Sequence, residues 1–97
     1  MLRITVKDEV DGVTLKLEGS LSGIWVTELE GAWRAANSLL DRRPLYLNMN
    51  QVEHVDTAGI YLLALLRYSG VQLITSGTLM AGLVRSIEEN WPRIKFN

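Results

Sequence analysis

The residues of this chain best placed to do chemistry lie in the segment Val55-Asp56-Thr57-Ala58-Gly59-Ile60, where a carboxylate, a hydroxyl and a glycine stand in a row. The apolar run that follows, Ile60 to Leu66, makes this segment the start of a helix. A side-chain oxygen there can accept one of the unpaired amide protons of the first turn, a cap contributing about 1 kcal/mol, and either Asp56 or Thr57 can supply it. Glycine in a first helical turn costs about 1 kcal/mol relative to alanine, so Gly59 implies that something approaches the backbone closely. The same helix end favours an anion: a phosphate, carried by Thr57 or by a free ligand, would meet unpaired amides and the positive end of the helix dipole. Charge added at Thr57 would also be repelled by Asp56 and would disrupt an apolar contact made around it.

His54 lies close to Asp56 and Thr57, yet a relay of nucleophile, base and orienting acid is assembled from separated segments, not from neighbours in sequence. The chain has one histidine and no cysteine, and its carboxylates are not clustered, so no metal site is expected. A glycine-rich loop followed by Lys and Ser or Thr is also missing. No catalytic residue and no cofactor are expected; the chain reads as a binding protein.

Composition narrows the partners. At 97 residues the chain is one domain with one core, and 47% hydrophobic content leaves apolar side chains on its surface. The formal charge is −1 and the ten Lys and Arg residues are scattered, with only Arg42 and Arg43 adjacent, which argues against a nucleic-acid footprint. Without cysteine, without an apolar leader and without a run long enough to cross a bilayer, the expectation is a cytoplasmic protein with no membrane insertion.

The elements that position the segment follow from periodicity. Leu2, Ile4 and Val6, then Val13, Leu15 and Leu17, alternate on either side of Asp11-Gly12 and predict an antiparallel hairpin. After the break at Ser22-Gly23, the residues Trp25, Val26, Leu29, Ala32, Trp33, Ala36, Leu39 and Leu40 form a helical stripe, with Glu28 and Glu30 early in the helix and the two tryptophans as core anchors. Arg42-Arg43-Pro44 stops this helix. Leu45, Leu47 and Met49 predict a third strand, with Val52 and Val55 in a loop. A second helix runs from Thr57 to Ser69-Gly70, a fourth strand covers Val71 to Thr75, and a third helix carries Leu79, Met80, Leu83, Val84 and Ile87. Asn90 closes that helix and Pro92 blocks its continuation before a short strand over Ile94-Lys95-Phe96, while Trp91, after the helix, either closes the core or stands exposed as an interaction residue. Strands that alternate with helices should be parallel.

In this element order, in the Val55 to Ile60 segment with its preceding strand, and in Leu17-Glu18-Gly19-Ser20-Leu21 after the second strand, the chain resembles the STAS domains, typified by bacterial anti-sigma factor antagonists. The resemblance spans nearly the whole chain. It implies a single STAS-like domain over residues 1–97: a β-hairpin, then alternating α and β elements, in a mixed, largely parallel sheet with packed helices. It further implies that a partner kinase phosphorylates Thr57. The unmodified protein would hold a kinase-like anti-sigma factor, or another regulatory protein, and phosphorylation would end the contact, so that transcription is regulated without catalysis. Many members carry an acidic residue before the first helix, where this chain has Ser22, and another in the third strand, where it has Asn48.

The contact surface expected from this likeness comprises Asp56, Thr57, Ala58, Gly59, Ile60, Ser20 and Ser22. On a helical wheel Leu62, Leu65 and Leu66 turn to the sheet, while Ile60, Ala64, Arg67 and Tyr68 group opposite, with Tyr61 at the border. That second face either packs under the neighbouring helix or docks the partner with Thr57 at its edge. Two alternatives stand beside this: similar small STAS proteins are accessory subunits of bacterial lipid-transport ATPases, and the helix end could belong to a nucleotide-binding domain.

Overall fold

Period-two alternation in the N-terminal third produces strands β1 (Leu2–Glu9) and β2 (Gly12–Leu21), paired antiparallel from Leu2↔Gly19 to Glu9↔Gly12, so the connecting turn is Val10-Asp11 and not Asp11-Gly12. A computed structural model describes residues 1–94 of the chain. The remaining elements are α1 (Ile24–Asn37), β3 (Leu45–Val55), α2 (Thr57–Tyr68), β4 (Gln72–Ile74) and α3 (Thr78–Ile94). The sheet order is β1-β2-β3-β4, with β2, β3 and β4 parallel. Two successive crossovers running the same way across a sheet put α1 and α2 on one face, because such connections share one hand.

That face holds the core. Val13, Leu15 and Leu17 of β2 and Leu45, Leu47 and Met49 of β3 are buried against Leu29 of α1, Leu63 and Leu66 of α2, and Val84 and Ile87 of α3. Trp25 and Trp33, expected as core anchors, are half-buried and pack against this cluster without being enclosed by it. The alternate residues Thr14, Lys16, Tyr46 and Asn48 lie on the other face of the sheet and are only partly covered.

Several boundaries differ from those expected. Strand β3 continues through Val52 and Val55, which are not in a loop. Between Lys16↔Asn48 and Glu18↔Gln51, and again between Gly19↔Val52 and Ser20↔His54, β3 takes one residue more than β2. Each such bulge resets which side chains face the core, so Met49 and Val52 both point inward although alternation forbids it. The side-chain oxygen of Asn48 accepts the Asn50 N–H at 3.0 Å inside the first bulge. Correspondingly β2 extends to Leu21, and the Glu18 to Leu21 stretch lies within it.

Helix α1 ends at Asn37, well before Arg42-Arg43-Pro44, and the chain turns through Asp41 and Arg42 at φ 47° and 71°. Leu39 is therefore outside the helix and exposed, and no acidic residue stands in the first turn of α1. Helix α3 runs past Asn90 and through Pro92 to Ile94, so neither residue closes it as expected. The expected strand over Ile94 to Phe96 thus begins on a helical residue and otherwise lies outside the described residues. So do the side chains of Trp91 and Leu79, for which roles were expected.

Candidate functional site

The C-terminal ends of β2 and β3 lie side by side, and each leads into a helix. At the end of β3, Asp56 has extended geometry (φ −85°, ψ −180°) and is the N-cap of α2. One carboxylate oxygen, Oδ1, accepts the Gly59 N–H at 2.8 Å; the other, Oδ2, accepts the Gly23 N–H at 2.9 Å. Gly23 is the N-cap of α1 and supplies no side chain, at a φ of 56° that favours glycine. A single carboxylate therefore joins the N-termini of two helices. The Asp56 N–H also donates to the Leu21 carbonyl at 3.1 Å, tying the end of β2 to the same point.

These bonds set the charge state. The Gly23 N–H, the Gly59 N–H and the nearby His54 favour the anion and outweigh partial desolvation, which holds the Asp56 carboxyl below the usual aspartate range.

Of the two candidate caps, the structure uses Asp56. Thr57, the first residue of α2, is exposed, and no hydrogen bond among the described residues engages its hydroxyl. Ala58 is exposed beside it, and Gly59 is buried. The close approach expected at Gly59 is present: a Cβ there would lie 2.8 Å from the Leu21 carbonyl oxygen and 2.8 Å from Val55 Cγ1. Ser20, opposite His54 in the sheet register, and Ser22 are half-buried in the segment leading to Gly23.

The faces of α2 need correction. Leu65, expected against the sheet, is 47% exposed, whereas Ala64, expected on the outer face, is 8% exposed and in the core. Ile60 is half-buried against the core, and Arg67 pairs with Glu88 of α3 at 3.0 Å. Because α2 lies between the sheet and α3, its buried arc is wider than one stripe and includes Leu62, Leu63 and Leu66. The exposed face is Thr57, Ala58, Tyr61, Leu65 and Tyr68. Asn48 stands seven residues before Val55, roughly 20 Å along the strand, and is not beside Thr57.

Sequence reasoning did not find Gly23 as a partner of Asp56, nor Ile24, which is 73% exposed next to it. Ile24 is an apolar residue just off the α1 stripe, and that mismatch was the available signal. Among the described residues no group of three or more His, Asp or Glu side chains could hold a metal, and no helix is long and apolar enough to cross a membrane.

A mixed four-stranded sheet with helices on one face and a capped helix after β3 gives the chain a STAS-like fold. No family model matches the sequence, and no curated protein matches it. Among solved structures, the chain is similar to an anti-sigma factor antagonist from Mycobacterium paratuberculosis, with 19% identity, a TM-score of 0.73, and 95% of this chain and 84% of that one covered. It is also similar to the anti-sigma factor antagonist SpoIIAA in its unphosphorylated form, with 16% identity, a TM-score of 0.63, and coverage of 86% and 82%. An uncharacterized Shewanella loihica protein with a SpoIIAA-like fold gives 14% identity, a TM-score of 0.58, and coverage of 93% and 77%. At these identities the likeness establishes the SpoIIAA-like fold.

Proposed function

We propose that this chain is a regulatory protein-binding module of the anti-sigma factor antagonist type, in which phosphorylation of Thr57 switches the contact with a kinase-like anti-sigma factor. Such a module acts by occupying its partner, catalyses no reaction of its own, and works in the bacterial cytoplasm where that partner resides. The observation that carries the reading is the division of labour between neighbours: both Asp56 oxygens hold the two helix ends together, while Thr57 is exposed and its hydroxyl is engaged by no group among the described residues. A residue needed for the fold would be a poor switch. Thr57 can take a phosphate without breaking a bond of the fold, and the added charge would stand at the edge of a surface carrying Ile24, Tyr61 and Leu65.

The test is peptide-level mass spectrometry of the protein isolated from its own cells with phosphatases inhibited, paired with capture of partners by wild type, Thr57→Ala and Thr57→Asp. Phosphate on Thr57, a kinase-like partner held by wild type and Thr57→Ala, and its loss with Thr57→Asp are expected. A partner retained equally by all three proteins would refute the switch.

A further inference from the structure

Strand β1 is an edge of the sheet, and its eight residues offer a row of main-chain groups that nothing among the described residues pairs. Which groups face outward can be read from one bond. The Ser20 N–H donates to the Met1 carbonyl at 2.9 Å, which makes Met1 and Ser20 a hydrogen-bonded pair in the antiparallel ladder. Such pairs recur at every second position, so Arg3, Thr5, Lys7 and Glu9 turn their amides and carbonyls toward β2. Leu2, Ile4, Val6 and Asp8 turn theirs to the open edge.

We propose that this edge pairs antiparallel with β1 of a second copy of the chain about a two-fold axis at Val6, joining the two sheets into one. A two-fold pairing must match outward-facing residues with one another, which leaves few registers. Centring on Thr5 sets Arg3 against Lys7, centring on Lys7 sets it against itself, and centring on Asp8 does the same for that carboxylate. Centring on Ile4 leaves the second half of the strand unpaired. Centring on Val6 sets Arg3 against Glu9 on both sides of the axis, at the closer of the two antiparallel spacings.

Other features agree with this register. Arg3, Lys7 and Glu9 are exposed and take part in no ion pair among the described residues, while Asp8, which would face Ile4, already has its charge met by Arg43 at 2.6 Å. Val6 is 48% exposed and Val10 is 95% exposed; the pairing puts Val6 against its own copy and brings Val10 beside Leu2 of the second copy. One strand edge buries less than the ~800 Å² per partner of a standard interface, so the association is weak and concentration-dependent.

Sedimentation equilibrium from about 1 µM to 1 mM, concentrations spanning the affinities of small interfaces, tests the proposal on wild type, Arg3→Glu, Glu9→Arg, the double swap, and Val6→Pro, with circular dichroism as the check on folding. Val6→Pro removes an outward N–H without removing a bond to β2. The expected result is a wild-type dimer whose Kd rises more than about tenfold with either single charge reversal, since two like-charge pairs replace two opposite ones, and recovers in the double swap. A monomeric wild type at every concentration overturns the proposal. So does a dimer that the single charge reversals leave intact.

Discussion

Gly59→Ala puts one methyl group at the point where β2, β3 and α2 meet. Gly59 is buried and its φ is not in the left-handed region, so alanine suits its backbone and should favour the helix by about 1 kcal/mol. Against this, the new Cβ would lie 2.8 Å from the Leu21 carbonyl oxygen, 2.8 Å from Val55 Cγ1 and 3.1 Å from Leu21 Cγ. The carbonyl cannot swing aside freely, because it accepts the Asp56 N–H at 3.1 Å, and Asp56 is in turn fixed by Gly23 and Gly59. Overpacking against a constrained backbone costs about 1–3 kcal/mol, so the net effect is a loss of up to about 2 kcal/mol, or up to about 15 °C in Tm for a domain of this size. Urea unfolding followed by circular dichroism measures it. The same substitution at Gly31 of α1 and Gly82 of α3, where a Cβ meets nothing within 4 Å, should stabilise by about 0.5–1 kcal/mol. If Gly59→Ala also stabilises, the close approach does not constrain this junction and the reasoning fails.

Two further outcomes follow from the site. The lowered pKa of Asp56 gives the native state a stabilising contribution that is complete above the ordinary aspartate range and is lost as pH falls through the folded value; Asp56→Asn should therefore flatten the acid limb of Tm against pH while lowering Tm at neutral pH. An unchanged acid limb would mean that the two amide bonds do not discriminate between the charged and neutral forms. Leu65→Ser on the half-exposed face of α2 should cost about 1 kcal/mol in urea, from the covered half of the side chain and the poorer helix propensity of serine, yet leave the domain folded and weaken capture of the partner proposed above. Undiminished capture would take Leu65 out of the contact.

What could be read from the sequence was set by how regular each element is. The hairpin of β1 and β2, the stripe of α1 and the start of α2 keep one period throughout, and the order of elements follows from them. Strand β3 does not keep one period. Its two bulges shift the inward set from Met49 to Val52 and then to Val55, and no run of alternation survives for a reader of residues to follow. Helix α2 misled for a different reason: a wheel assigns one buried stripe, but a helix packed on both the sheet and α3 buries a wider arc, so Ala64 and Leu65 exchange their expected places. At the site, an N-cap was legible and the choice between Asp56 and Thr57 was not. Only the position of Gly23, thirty-three residues away in sequence, gives the second carboxylate oxygen its bond.

That second bond also bears on how a switch at Thr57 would act. Asp56 already occupies an amide of α2 through Gly59 and the cap amide of α1 through Gly23, and it does so as an anion. A phosphate on the next residue would be favoured by the helix dipole by about 0.3–1 kcal/mol and opposed by the fixed Asp56 charge, two effects of similar size and opposite sign. The fold would gain or lose little. The surface beside it changes far more, because a dianion replaces a neutral hydroxyl next to Ala58, at the junction where Gly23, followed by the exposed Ile24, meets Asp56, and a partner could cover that junction only by desolvating the charge. On the proposed reading, the message passes through the contact surface itself, and the domain beneath needs no second conformation.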